Sequence, residues 1–319
     1  MAASAGSRRT PSHRKTRAQS LSWALLSIYA LWVAGLKMLA AHILPPVGVS
    51  FAEQLLLVAF FVAHALAYYS GGEVLFFAIT NAIVSNLFEN LSVMYGFPFG
   101  YYYHTIGPKL FNVPYVVTLI YMALGYISWM VAQVLLRRTS YGSWRRLAFV
   151  APLVAAFVFT CWDLCIDPIY GTIYKAFIYR NPGVWFGTPG GNYFGWLLTT
   201  YVLYLPFSLY LRRHVAAAEK ERVEASRAYW LQPVLLYFVI AIGIILTNVK
   251  GTSVDVVLAN GKVWNAGDIY GASILVTLFT MVFISLLASL SWYQEQSSAL
   301  AGSGKDMQIA LRRPTAKSI

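Results

Sequence analysis

The stretch F-T-C-W-D-L-C-I-D-P, residues 159–168, decides how this chain is read. It is an apolar helical run that carries two carboxylates, Asp163 and Asp167. The two are four residues apart, so they share one helix face. An ionisable residue inside a membrane-grade segment is costly and marks a functional position. The run is expected to break at Asp167-Pro168, because the residue before proline is pushed away from helical geometry. An aromatic loop follows. Then G-T-P-G-G-N-Y-F-G-W, residues 187–196, opens a new apolar helix.

Outward from this stretch, apolar runs of membrane-spanning length recur along the chain. They fall near 21–44, 52–70, 74–95, 113–135, 147–168, 192–211, 230–249 and 271–292. The composition agrees: 58% of the 319 residues are hydrophobic and 11% are charged, against about a quarter charged in a soluble domain. The fold class expected is all-α, a polytopic transmembrane bundle of about eight spans. No linker or internal repeat divides it. Residues 21–292 are taken as one membrane domain, between a basic, disordered tail at 1–20 and a basic tail at 293–319. The run 21–44 is long enough to span and lacks a small-residue cleavage site, so it reads as a first span rather than a removable signal.

The net charge of +12 raises the question of nucleic acid. The basic residues, however, sit in the tails and in alternate loops, and no nucleic-acid-binding signature accompanies them. With both termini cytoplasmic, 18 of the 24 Lys and Arg fall on the inner side, as positive-inside bias requires. That topology places the loops 96–112, 171–191 and 250–270 on the outer side. It makes this an integral, multi-pass membrane protein, in the plasma membrane of a bacterium or an endomembrane of a eukaryote. Cys161 and Cys165 lie one turn apart in an apolar helix, a packing position rather than a disulfide or metal spacing.

The polar residues inside the apolar runs are the candidates for chemistry. The third run carries Asn86, Glu89 and Asn90 at i, i+3 and i+4. Glu89 is expected to face the bundle interior; the bland alternative is a glutamate that ties two helices together. The loop that follows, G-F-P-F-G-Y-Y-Y-H-T-I-G-P-K-L-F-N-V-P at 96–114, carries Tyr102, Tyr103, His104 and Lys109 among turn formers. An interfacial aromatic belt would also explain such aromatics. Trp162 flanks Asp163, while Trp185, Asn192 and Trp196 belong to the second loop and the helix start after it. Apolar surroundings favour the neutral form of a carboxyl, which can then act as a general acid. Aromatic faces stabilise cations. Buried acids with an aromatic wall suit chemistry through a carbocation. Neither a nucleophile elbow, a zinc-protease helix motif, a P-loop nor a dinucleotide fingerprint is present. Asp163 and Asp167 form only D-x-x-x-D, too little for a diphosphate-bound magnesium cluster. No metal or cofactor is called for.

Four ordered blocks resemble the integral-membrane carotenoid biosynthesis family that includes the CruF-type carotenoid 1,2-hydratases and the bisanhydrobacterioruberin hydratases. They are F-E-N-L-S-V-M-Y-G-F-P-F-G-Y-Y-Y, T-I-G-P-K-L-F-N-V-P, W-D-L-C-I-D-P and W-F-G-T-P-G-G-N-Y-F-G-W, within residues 80–200. The paired Gly190-Gly191 departs from the pattern, which has a bulkier residue at one of these positions. The amino tail and everything after about Arg213 lie outside the resemblance. It implies hydration of the terminal isoprene double bond of an acyclic carotenoid, giving a tertiary alcohol. Carried over position by position, its polar members are Glu89, Asn90, Lys109, Asp163, Asp167 and Asn192.

The expectation is therefore a hydratase with Asp163, Glu89 and Asp167 as catalytic candidates. Asn86, Asn90, Tyr102, Tyr103, Lys109, Trp162, Trp185, Asn192 and Trp196 are the candidates for binding substrate. The partners are a lipophilic polyene or terpenoid, water and membrane lipids, with self-association left open. Two readings compete. A protonation-initiated terpenoid cyclase or isomerase needs the same acid and aromatic pocket. A non-enzymatic carrier or proton-coupled transporter also uses intramembrane acids.

Overall fold

The computed structural model describes residues 13–36, 46–136, 148–218 and 227–295. Helix α1 spans His13–Leu31 and runs into a π-turn at Trp32–Leu36. Then come α2 (Pro46–Tyr68), α3 (Gly71–Tyr95), α4 (Tyr115–Leu135), α5 (Val150–Pro168), α6 (Gly190–Ala218), α7 (Arg227–Val249) and α8 (Ala266–Thr277). The last continues through a π-turn at Leu278–Val282, giving an apolar helical stretch over Ala266–Glu295. Eight helices among the described residues are long and apolar enough to cross a membrane. The first begins at His13, inside the stretch expected to be a disordered tail. Residues 1–12, residues 37–45 with the end of the first expected span, the basic connection 137–147, residues 219–226 and the tail 296–319 lie outside the described residues.

Helix α4 is central. Its residues Tyr121 and Ala123–Val134 are all buried, and it packs against α2, α3, α5 and α7. An apolar solvent gives helices no hydrophobic reason to associate, so close packing and interhelical hydrogen bonds hold the bundle. Phenols supply several: Tyr204 donates to the Gly125 carbonyl at 2.9 Å and Tyr237 to the Val158 carbonyl at 2.7 Å. Helix α3 starts with a reciprocal cap, Ser70 and Glu73, and ends at Gly96, whose φ of 77° is left-handed. Glycine suits that position sterically. A Cβ there would also meet the Tyr101 ring at 2.6 Å.

The expected break at Asp167-Pro168 is not found. Helix α5 runs through Pro168 and widens into a π-turn at Ile169–Ile173. Proline removes a backbone donor and crowds the preceding turn; the altered hydrogen-bond pattern absorbs this. The Ile169 amide bonds the Ile166 carbonyl rather than that of Cys165. The Cys165 carbonyl instead accepts from Ser273 Oγ of α8 at 2.6 Å. A neighbouring helix thus satisfies the backbone group, as lipid surroundings demand.

The loops after α3, α5 and α7 gather at one end of the bundle. Strands β1 (Tyr102–His104) and β4 (Phe177–Tyr179) pair antiparallel and join the first loop to the second. Strand β2 (Lys109–Leu110) pairs with β3 (Val113–Pro114), and β5 (Asp255–Val257) with β6 (Val263–Asn265). The third loop meets the second where Trp264 packs on Phe186, ring centroids 4.9 Å apart. The first loop is pinned beneath. The Phe99 amide donates to Ser92 Oγ at 2.8 Å, and α6 presses on it so closely that a Cβ at Gly195 would meet the Phe99 ring at 2.8 Å.

Candidate active site

Beneath these loops lies a cavity of about 210 Å³. Asp163 and Asp167 enter it from the last turns of α5, Glu89 from the end of α3 and Asn192 from the first turn of α6. All four are buried. The spacing of the two aspartates does place them on one face, and a single amide bridges them. Asn192 Nδ2 donates to Asp167 Oδ2 at 2.8 Å and to Asp163 Oδ2 at 3.2 Å, using both hydrogens of the amide. Asp163 Oδ1 is buried and has no hydrogen-bond partner among the described residues.

Glu89 is held differently. Tyr121 of α4 donates to its Oε1 at 3.0 Å, and Tyr102 of β1 donates to its Oε2. His104 Nε2 lies 3.4 Å from the same Oε2. Strand alternation explains the set: Tyr102 and His104 point inward and Tyr103 outward. Across the register, Tyr102 faces Tyr179, and the Tyr179 phenol donates to Asp167 Oδ2 at 3.2 Å. Burial, followed by the charge of Glu89, pushes the Tyr102 phenol well above its ordinary range. Burial, followed by Asp167, does the same to Tyr179. Both therefore remain O–H donors across the ordinary pH range.

The walls are aromatic. Trp196 stacks on Tyr121 with centroids 4.7 Å apart and planes 9° apart. Trp162 stands nearly perpendicular to Trp196, centroids 6.4 Å apart. Phe99 and Phe177 also line the cavity. Among the described residues, no group of three or more His, Cys, Asp and Glu side chains is placed to hold a metal ion.

The structure thus brings Glu89, Asp163, Asp167, Tyr102, Trp162, Asn192 and Trp196 to one cavity. Five other candidates stand elsewhere. Asn86 donates to Thr118 Oγ1 at 2.8 Å and to the Ala82 carbonyl at 2.9 Å, tying α3 to α4. Asn90 Oδ1 accepts from the backbone and side chain of Asn112, fixing the loop. Lys109 Nζ donates to the His104 carbonyl at 2.6 Å. Tyr103 is exposed, and Trp185 packs on Phe186 in the second loop. A Cβ at Gly190 or Gly191 would meet nothing within 4 Å, so close packing does not require glycine at this departure from the family pattern. Tyr121 and Tyr179 were not anticipated. Both are aromatics in aromatic-rich surroundings, and only their spatial relation to the acids distinguishes them.

Fold and site together define a multi-pass membrane protein whose buried acids line an aromatic cavity. Residues 50–261 match the family described as carotenoid biosynthesis protein, and the chain belongs to that family. The match reaches beyond the blocks at 80–200 to take in α2 and α7. Comparison with curated proteins and with solved structures returns no match. The protein therefore has a role in carotenoid biosynthesis.

Proposed function

We propose that the protein hydrates the terminal isoprene double bond of an acyclic carotenoid. The observation that carries this reading is Asp163 Oδ1, a buried carboxyl oxygen without a hydrogen-bond partner among the described residues, in a cavity walled by Trp162 and Trp196. In its acid form Asp163 gives its proton to the less substituted alkene carbon. The π electrons form the new C–H bond and leave a tertiary cation on the neighbouring carbon, shielded by the aromatic faces. Water held by Asp167 and Asn192 adds through oxygen. It loses a proton, which restores the acid. Alkene and water become a tertiary alcohol with nothing oxidised or reduced. Glu89 orients Tyr102 and Tyr121 and is the second candidate donor.

Cavity size supports reaction at a chain end. Pockets that enclose drug-sized ligands measure roughly 300–1,000 Å³, and this one is about 210 Å³. It suits one end of a long polyene rather than the whole.

Expression in a bacterial host that makes acyclic carotenoids tests the proposal, with pigments separated and weighed by mass spectrometry. A product heavier by one water, carrying oxygen-18 when made in labelled water, is expected. An isomer of unchanged mass would instead identify a cyclase or isomerase. Pigment retained unconverted on the purified protein would identify a carrier.

A further inference from the structure

Asp163 and Asp167 leave α5 one turn apart on one helix face, and Asn192 of α6 joins them. Its single nitrogen donates to Oδ2 of each. The amide occupies the space between those two oxygens, so an alkene lies against the pair rather than between its members. Tyr179 adds a third contact to the group, donating to Asp167 Oδ2 at 3.2 Å. Asp163 keeps Oδ1 without a hydrogen-bond partner among the described residues. Glutamates from other helices line the same cavity, and phenols already engage them. Tyr102 and Tyr121 donate to Glu89, and Tyr29 donates to Glu53 Oε1 at 3.0 Å.

A tertiary cation is flat, and water can reach it from either side. Unguided addition therefore gives both outcomes. Groups fixed on one wall remove that freedom, because a site works by holding reactants in one orientation. We propose that Asn192 is a positioning residue that holds both aspartates to one side of the alkene, so that hydrogen and hydroxyl add to the same face. The Asp163 proton goes to the less substituted carbon, and the π electrons form the new C–H bond. A water oxygen held against Asp167 supplies the electron pair of the C–O bond, and its surplus proton passes to the Asp167 carboxylate. One proton moving from Asp167 to Asp163 then resets the pair. The inference rests on the hydration reading and adds its stereochemical course.

The test uses the full-length protein in detergent made up in deuterium oxide. The probe is an acyclic carotenoid whose terminal methyl trans to the chain is carbon-13. Deuterium makes one carbon of the former double bond stereogenic, and the labelled methyl makes the other so. Same-face and opposite-face addition then give different diastereomers, told apart by NMR against synthetic references. Wild type should give the same-face diastereomer alone. Asn192→Gln, which keeps the amide, should give the same product more slowly. Asn192→Ala should give both diastereomers, a change that a mere loss of stability does not produce. The opposite-face diastereomer from wild type overturns the inference and moves one of the two steps to an acid on another helix. A mixture from wild type overturns it as well, since the cation is then captured unguided. A single diastereomer from Asn192→Ala removes Asn192 from the role. If that variant yields no product, the wild-type result decides alone. Pigment of unchanged mass sinks hydration itself, a result distinct from either diastereomer.

Discussion

Tyr102 and Tyr179 face each other across the β1–β4 register, and each phenol donates to a different acid, Tyr102 to Glu89 and Tyr179 to Asp167. One pair of short strands thus sets two of the three carboxyls. Tyr102→Phe and Tyr179→Phe should each lower carotenoid conversion by about tenfold, since each leaves a buried carboxyl short of one charge-assisted donor. Because the strands couple the two sites, the double variant should depart from the product of the single effects. Conversion in isolated membranes, normalised to folded protein, checks this.

Asp163→Asn should reduce conversion by roughly 10²–10⁴-fold, the range for removing a positioned general acid. Glu89→Gln should have a smaller effect, because both Glu89 oxygens already accept from phenols. Asn192→Ala removes the amide that donates to both aspartates and should fall between the two. Single-turnover rates with an acyclic carotenoid rank the three variants. A Glu89→Gln loss greater than that of Asp163→Asn would reassign the proton donor.

Stability should fall at alkaline pH. Tyr102 and Tyr179 stay protonated in the folded chain above the ordinary phenol value of 10.0, whereas exposed phenols of the unfolded chain ionise there. The folded state then binds more protons, so the free energy of unfolding declines as pH rises beyond about 10. Below that value the contribution is fully present. Melting temperatures in detergent across that range should slope downward, and the slope should flatten in the Tyr102→Phe, Tyr179→Phe double variant.

Ser273 links two helices to the proline in α5. It donates to the Cys165 carbonyl at 2.6 Å and accepts from Asn248 Nδ2 at 2.8 Å. Ser273→Ala leaves an acceptor and a donor unmet and should destabilise the protein by about 1–3 kcal/mol. A lower melting temperature in the same detergent is the expected result.

Much of this arrangement could be read in the sequence because the signal was one of contrast. Glu89, Asp163 and Asp167 stand out in apolar runs, and a bilayer tolerates such residues chiefly where they face one another or a cavity. The spans were legible for the same reason. Where every neighbour shares a residue's character, contrast fails. Tyr121 is one of many tyrosines in apolar runs, and nothing in its spacing marks it as the donor to Glu89. Asn86 and Asn90 illustrate the opposite error. On the helical wheel Asn86 lies between Glu89 and Asn90, and the three span an arc of about 100°, wide enough that Glu89 enters the cavity while the asparagines bond to α4 and to a loop. Glu53 lies close to the start of its apolar run, where an acid reads as an interfacial residue. Its place on the cavity wall depends on how α2 meets α1. At Pro168 a local rule gave way to tertiary structure, because α8 supplies the hydroxyl that the interrupted backbone needs.

The β1–β4 pairing also dictates an order of assembly. Synthesis proceeds from the amino end, so Glu89 and Tyr102 are inserted long before Phe177–Tyr179 emerge. The two aspartates must wait for Asn192. Until then the nascent chain carries Asp163 and Asp167 without Tyr179 and Asn192, in a membrane where such groups are least welcome. The centre closes only when the sixth helix arrives, which makes a complete site a late product of biogenesis and a sensitive reporter of whether insertion has run to its end.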